Sequence, residues 1–238
     1  MAACQVRALL MGGQACVFYG AAEFSRDTDL LVLAGAENLQ HLDTALKELQ
    51  AECIAVPPFA AEYLERGHAI HFRCHHPDAA EMRVDVMSKL RGVDPFPALW
   101  ERRTTLTDTD GAIYELLSLP DLVLAKKTQR SKDWPMLQRL VEAHYLQHRA
   151  APTSERQRFW LMELRTPELL CEIAQSASGL ARDLARGRPL LRFARPGKLH
   201  ALEEALAVEE RAERERDRIH WQPLKAELER LRGAARSH

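Results

Sequence analysis

A pair of carboxylates at the start of an apolar segment constrains this chain most. Residues 28–33 read TDLLVL, a composition typical of a buried strand, and Asp27 and Asp29 lie at its beginning. Side chains of a strand alternate between its two faces, so both carboxylates lie on the same face. An ionised carboxylate is costly to bury unless it is paired or bound to a metal. The segment therefore predicts a strand that begins at a charged site.

A second apolar strand carries a third carboxylate. Residues 82–87 read MRVDVM, and their alternation places Asp85 on one face with Arg83. Neighbouring strands lie about 4.8 Å apart, so adjacent strands would bring the three carboxylates together. Such a cluster suits Mg²⁺ and can hold two ions. The alternative is that Asp85 only forms an ion pair with Arg83 or Arg73.

Two glycines stand where a third strand meets a helix. Residues 6–11 read VRALLM, which favours a buried strand, and Gly12-Gly13 follow before a short helix over 14–19. Glycine lets the backbone approach a ligand closely, and a helix N-terminus favours an anion. The arrangement favours a phosphate near the glycines.

Strands and helices interleave over the first half of the chain, whereas the second half is helical. Residues 37–49 place leucines at helical spacing, and residues 69–74 and 82–87 alternate as two adjacent strands. We therefore predict an α+β fold, in which a small mixed β-sheet is flanked by helices over 1–118. A helical region follows over 119–238, with helices over 155–164, 167–186 and 198–231.

The composition of the chain is typical of a globular protein and predicts no membrane span. Hydrophobic residues make up 46% and charged residues 28%, which is ordinary for a globular domain. The longest apolar runs fall far short of the roughly 20 residues that cross a bilayer, so we expect no membrane partner. Five cysteines without a CxxC pair favour a reducing compartment, and we expect a cytoplasmic protein.

Charge is divided unevenly along the chain. The net charge is −7 over residues 1–120 and +6 over residues 121–238. Solvated helix faces account for most of the basic excess, and a polyanionic partner is the alternative.

The segments MGGQACVFYG, FSRDTDLLV and MRVDVM resemble the nucleotidyltransferase superfamily that includes DNA polymerase beta. Its signature is a Gly-Gly or Gly-Ser pair, a spacer, Asp-x-Asp, and a third carboxylate on a later strand. The most similar branch is bacterial and includes the toxin-like nucleotidyltransferases of abortive-infection systems, which implies a toxin–antitoxin context. The resemblance covers residues 6 to about 146. It departs from the pattern where Arg26 directly precedes Asp27 and where Thr28 separates the two carboxylates.

A later helix in that branch carries Lys, followed by Arg-x-Lys-Asp. The segment LPDLVLAKKTQRSKDWPML matches it at Lys126, Arg130, Lys132 and Asp133. Lys126 and Arg130 are four residues apart, so we expect them to share a helix face, and we expect Asp133 to cap the next helix.

The resemblance implies transfer of a nucleoside monophosphate from an NTP such as ATP, with release of pyrophosphate. The acceptor is an RNA, a protein or a small molecule. Asp27, Asp29 and Asp85 would bind two Mg²⁺ ions and form the catalytic group. The nucleotide would be contacted by Gly12, Gly13, Arg26, Lys126, Arg130 and Lys132. Two alternatives stay open: a catalytically silent nucleotide-binding or regulatory protein, and an interaction module with a basic helical half.

We expect Lys126→Ala to weaken NTP binding by about 1–3 kcal/mol, the scale of one charge-assisted contact. Titration calorimetry with Mg²⁺ and each NTP measures the change. Unaltered affinity in both Lys126→Ala and Arg130→Ala would show that these two side chains are solvated surface residues without a role in NTP binding.

Overall fold

The computed structural model describes residues 1–236 and confirms the α+β fold, with a mixed sheet, flanking helices and a C-terminal helical region. The chain divides into two compact units. The first comprises Met1–Phe18, Ala22–Ala125 and the chain from His220 onward. The second comprises Tyr19–Ala21 and Lys126–Ile219.

Seven strands of the first unit form one sheet. They are β1 (Ala8–Met11), β2 (Asp27–Val32), β3 (Glu52–Cys53), β4 (Ile70–Arg73), β5 (Arg83–Met87), β6 (Thr104–Thr107) and β7 (Ile113–Leu116). Their order is β3-β4-β5-β2-β1-β7-β6. The β2–β5 and β1–β7 pairs are parallel, and the other neighbours are antiparallel.

The two faces of the central strands differ in chemistry. Ile70 and Phe72 of β4 lie opposite Val86 and Val84 of β5, and all four side chains are buried. The alternate residues of β5, including Asp85, stay partly exposed on the other face. The alternation in the sequence thus produces one apolar face that forms core and one polar face.

Short helices connect the strands of the first unit. They are α1 (Gly12–Phe18), α2 (Ala36–Glu48), α3 (Ala61–Arg66), α4 (Phe96–Glu101) and α5 (Leu119–Ala125), with 3-10 turns at Ala2–Cys4 and Pro77–Ala79. The predicted helix over 37–49 is confirmed as α2, which buries Leu39, Leu42 and Leu46.

All regular secondary structure in the described residues of the second unit is helical. Its helices are α6 (Asp133–His148), α7 (Ser154–Glu163), α8 (Pro167–Ser176), α9 (Ser178–Leu184), α10 (Leu191–Ala194) and the start of α11 (Leu199–Arg236). The single helix predicted over 167–186 is wrong, because Ala177 leaves helical geometry at φ −109° and ψ 46° and separates α8 from α9. Among residues 1–236, no helix has both the length and the apolar character to cross a membrane.

The last helix contributes to both units. From His220 onward it packs within the first unit, where Glu227 lies 2.9 Å from Arg66. A Cβ at Gly67 would lie 3.5 Å from the ring of Trp221. The turn after α3 therefore packs closely against the end of α11.

A histidine lies beside the core of the second unit. Trp160 is fully buried, and its Nε1 donates a hydrogen bond of 2.9 Å to Nδ1 of His144. Burial, followed by the positive charges of His148 and Arg156, lowers the pKa of His144 to about 4. The folded chain thus favours the neutral imidazole, which can accept the hydrogen bond from Trp160.

This lowered pKa predicts a pH dependence. Because the unfolded histidine has the higher pKa, the unfolded state binds more protons between the two values, and stability is lost as pH falls from about 6.5 to about 4. We expect His144→Gln, which keeps an acceptor for Trp160, to reduce this loss. Urea unfolding across that pH range measures it, with His200→Gln, at an 87% exposed side chain, as the control. Equal pH dependence in both variants would contradict the assignment.

Candidate functional site

The register of the central strands places the three predicted carboxylates on one face of the sheet. Asp29 of β2 is the parallel partner of Asp85 of β5, and Asp27 is the partner of Arg83. Residues directly opposite on adjacent strands share a face, and the strands lie about 4.8 Å apart. The three aspartates therefore lie on one face of the sheet, opposite the apolar face formed by Val84 and Val86.

Asp85 is held by two basic side chains. Its Oδ1 lies 2.8 Å from Nδ1 of His71 and 2.9 Å from Nε of Arg83, and its Oδ2 accepts a bond of 3.1 Å from Nη2 of Arg83. Burial disfavours the ionised carboxylate, but the hydrogen bonds from His71 and Arg83 outweigh it and lower the pKa of Asp85. Of the two ion pairs considered as the alternative to metal binding by Asp85, the one with Arg83 is present.

Arg83 lies within electrostatic range of all three carboxylates. Its pKa is raised, first by the hydrogen bond to Asp85 and further by the charges of Asp85, Asp27 and Asp29, against an opposing effect of burial. One guanidinium thus offsets part of the mutual repulsion of three negative groups.

The glycines are required by close packing. Gly12 has φ +65°, and a Cβ there would lie 1.8 Å from Oδ2 of Asp29. At Gly13 a Cβ would lie 2.4 Å from Oγ of Ser25, which itself donates a bond of 3.0 Å to the backbone oxygen of Asp27. The Asp29 carboxylate therefore lies directly against the backbone at the start of α1.

The donor set fits Mg²⁺. Its oxygen ligands are the hard donors that this ion prefers, and they come from adjacent positions on one face. Across residues 1–236, no three His, Cys, Asp or Glu side chains are arranged so that they could hold a metal ion together. Both oxygens of Asp85 accept bonds from Arg83, so Arg83 competes with a metal ion for this carboxylate.

The predicted basic residues lie in two separate parts of the chain. Arg26 is exposed, just before β2. Lys126, Arg130 and Lys132 belong to the second unit, in the loop that joins α5 to α6. The expectation that Lys126 and Arg130 share a helix face is wrong, because α5 ends at Ala125 and α6 begins at Asp133. Nucleotide contacts by these residues stay a prediction.

The side chain of Asp133 stabilises the loop between α5 and α6 through hydrogen bonds. Its Oδ2 accepts hydrogen bonds from Thr128 and, at 2.8 Å, from Nε of Arg130. Nε1 of Trp134 donates a bond of 2.9 Å to the backbone oxygen of Thr128. Asp133 is thus the first residue of α6 and holds the preceding loop. The expected cap is wrong, since Lys132 occupies the N-cap position without a side-chain cap.

His71 is a site residue that sequence reasoning missed. It faces Asp85 because β4 pairs antiparallel with β5 in the register His71↔Asp85. The alternation of residues 69–74 indicated that His71 lies on the polar face of its strand. The pairing register that selects Asp85 as its partner depends on tertiary packing.

No protein-family model matches the sequence, and no curated protein matches it significantly. The function of this chain is therefore inferred from the residues of the site and their geometry.

We expect Gly12→Ala to lower the free energy of unfolding by about 2–5 kcal/mol, from backbone strain together with the clash against Asp29. Gly92→Ala is the matched control, because Gly92 has φ +80° and no atom within 4 Å of a Cβ. Strain alone then costs about 1–2 kcal/mol. Chemical denaturation measures both, and equal losses would show that Asp29 does not press against Gly12.

Proposed function

We propose that this protein is an Mg²⁺-dependent nucleotidyltransferase, which moves a nucleoside monophosphate from an NTP to an acceptor hydroxyl. One observation supports this most directly: Asp29 and Asp85 lie opposite each other on adjacent parallel strands, with Asp27 on the same face. The proposal also agrees with the sequence resemblance to the nucleotidyltransferase superfamily.

Asp27, Asp29 and Asp85 would hold the metal. Bound Mg²⁺ supplies charge neutralisation for the triphosphate and favours the ionised acceptor hydroxyl. A carboxylate oxygen of Asp85 takes the proton from that hydroxyl. The acceptor oxygen then forms a bond to the α-phosphorus, while the bond from the α-phosphorus to the bridging oxygen breaks and pyrophosphate leaves.

Arg83 and His71 act on Asp85 in this scheme. Their hydrogen bonds hold its carboxylate in place and keep it ionised, as its lowered pKa indicates. Arg83 also provides positive charge near the three carboxylates, which a triphosphate needs in order to approach them.

A second candidate function is nucleotide binding without turnover. The observation that favours it is the two-point bond of Arg83 to both oxygens of Asp85, which competes with metal at the carboxylate assigned to proton removal. A protein of this kind would bind an NTP and release no pyrophosphate.

We expect Asp29→Asn to abolish transfer while the fold is kept, because it removes one metal-binding charge. The assay incubates the protein with Mg²⁺ and each α-labelled NTP in a cell extract. Label is then followed into RNA, protein and small molecules, together with pyrophosphate release. Asp78→Asn, at a 93% exposed side chain of the same unit, is the control and should retain full activity.

The outcomes separate the two functions. Label transfer that is lost only in Asp29→Asn supports the enzyme. If Mg²⁺ and an NTP raise the melting temperature without transfer or pyrophosphate release, the silent binding protein is favoured. Equal transfer by wild type and Asp29→Asn would contradict the assigned carboxylates.

A further inference from the structure

The second unit contains a pocket of about 200 Å³ whose walls are strongly charged. Four basic side chains line it: Lys127, Arg165, Arg188 and Arg216. Three carboxylates also line it: Glu163, Glu209 and Glu213. The formal charges of these residues sum to one positive charge.

That excess is located at two arginines that share one carboxylate. Glu209 accepts bonds of 3.0 and 2.9 Å from Arg188 and of 2.9 Å from Nη1 of Arg165. Lys127 has its own partner, since its Nζ lies 2.6 Å from Glu163. The Glu209 carboxylate therefore faces two guanidinium groups, and the charge of Glu210 adds a weaker attraction to Arg165.

Both guanidinium groups are withdrawn from solvent. The side chain of Arg188 is 3% exposed and that of Arg165 is 9% exposed. Burial, together with repulsion from Arg188, lowers the pKa of Arg165, although the Glu209 carboxylate opposes this. A buried positive charge in excess is costly, and an anion that enters the pocket would offset it.

The two arginines differ in how their donors are used. Arg188 also donates to the backbone oxygens of Leu161 and Leu164, at 2.9 and 3.0 Å. The N–H donors of its guanidinium are therefore used by the protein itself. Arg165 donates to Glu209 and, at 2.8 Å, to the backbone oxygen of Leu206. A guanidinium carries five N–H groups, so Arg165 keeps donor capacity beyond these two bonds.

Arg165 is also held in a fixed orientation. Its guanidinium carbon lies 4.7 Å from the centroid of the Trp134 ring, which is buried. Stacking on an aromatic face limits the rotamers of the side chain, so a ligand would not have to order it.

We propose that this pocket binds a phosphate group, with Arg165 as its principal donor. Guanidinium groups match phosphate oxygens in geometry and charge, and a pocket of about 200 Å³ holds one phosphate with space for a substituent. The proposal does not rest on the nucleotidyltransferase function, because none of the lining residues is among those assigned to that site.

The test titrates inorganic phosphate into the full-length protein in EDTA, by calorimetry and by thermal melting, against sodium chloride of equal ionic strength. Adenosine 5′-monophosphate and adenosine form two further arms. We expect phosphate to bind and to raise the melting temperature more than chloride does. Arg165→Gln should weaken binding at least about tenfold. Arg182→Gln, an exposed arginine outside the pocket, should leave it unchanged.

The arms distinguish the source of the phosphate. Equal affinity for phosphate and the monophosphate indicates free phosphate as the ligand. Tighter binding of the monophosphate that is lost in Arg165→Gln indicates a phosphate ester. Arg165→Lys provides a second variant that keeps the charge and loses the planar fork, and it should also bind phosphate more weakly.

Two results would overturn the proposal. One is the absence of phosphate-specific binding to the unmodified protein up to about 20 mM, a range that includes weak anion sites. The other is wild-type affinity in a folded arginine variant. The titration of the unmodified protein decides the matter even if neither variant folds.

Discussion

Repulsion between like charges governs the central sheet of this protein. Asp29 and Asp85 lie directly opposite on adjacent strands, a placement that destabilises a sheet unless a cation compensates. Arg83 meets this need from the same face, two residues before Asp85 on the same strand. His71 adds a further contact from the strand on the other side of β5. The polar face is thus organised around one carboxylate and its partners, while the opposite face provides the apolar core.

In the second unit two like charges are again compensated by one group of opposite charge, but there the like charges are positive. There the shared partner is the Glu209 carboxylate, and the groups that repel are Arg165 and Arg188. Arg188 additionally satisfies two backbone oxygens at the end of α7, which a helix leaves without partners. A buried charge can therefore secure a helix end, provided that its own charge is balanced nearby.

Sequence patterns predicted the elements whose periodicity is strong. The apolar alternation around Asp29 and Asp85 gave β2 and β5, and the leucine spacing gave α2. Strands β6 and β7 were missed, and in β6 the reason is that residues 104–107 read TTLT, where threonines hide the alternation.

The candidate site was predictable in part, for a related reason. That Asp27, Asp29 and Asp85 share a face follows from a period of two and a parallel pairing. The contact of His71 with Asp85 depends on strand register, which distant residues decide. The loop before α6 deviates from the predicted helix because Asp133 bonds to Thr128 and Arg130, an arrangement that helical periodicity does not encode.

The passage of α11 from one unit into the other affects the order in which the chain can fold. The first unit contains the N-terminal residues, yet Arg66 and Gly67 find partners in Glu227 and Trp221, near the end of the chain. During synthesis the sheet strands leave the ribosome first, at a rate of about 5–20 residues per second. The turn after α3 then stays uncovered until the whole second unit has been made. The N-terminal unit is therefore completed only once Trp221 and Glu227 have been synthesised, although most of its residues are made early.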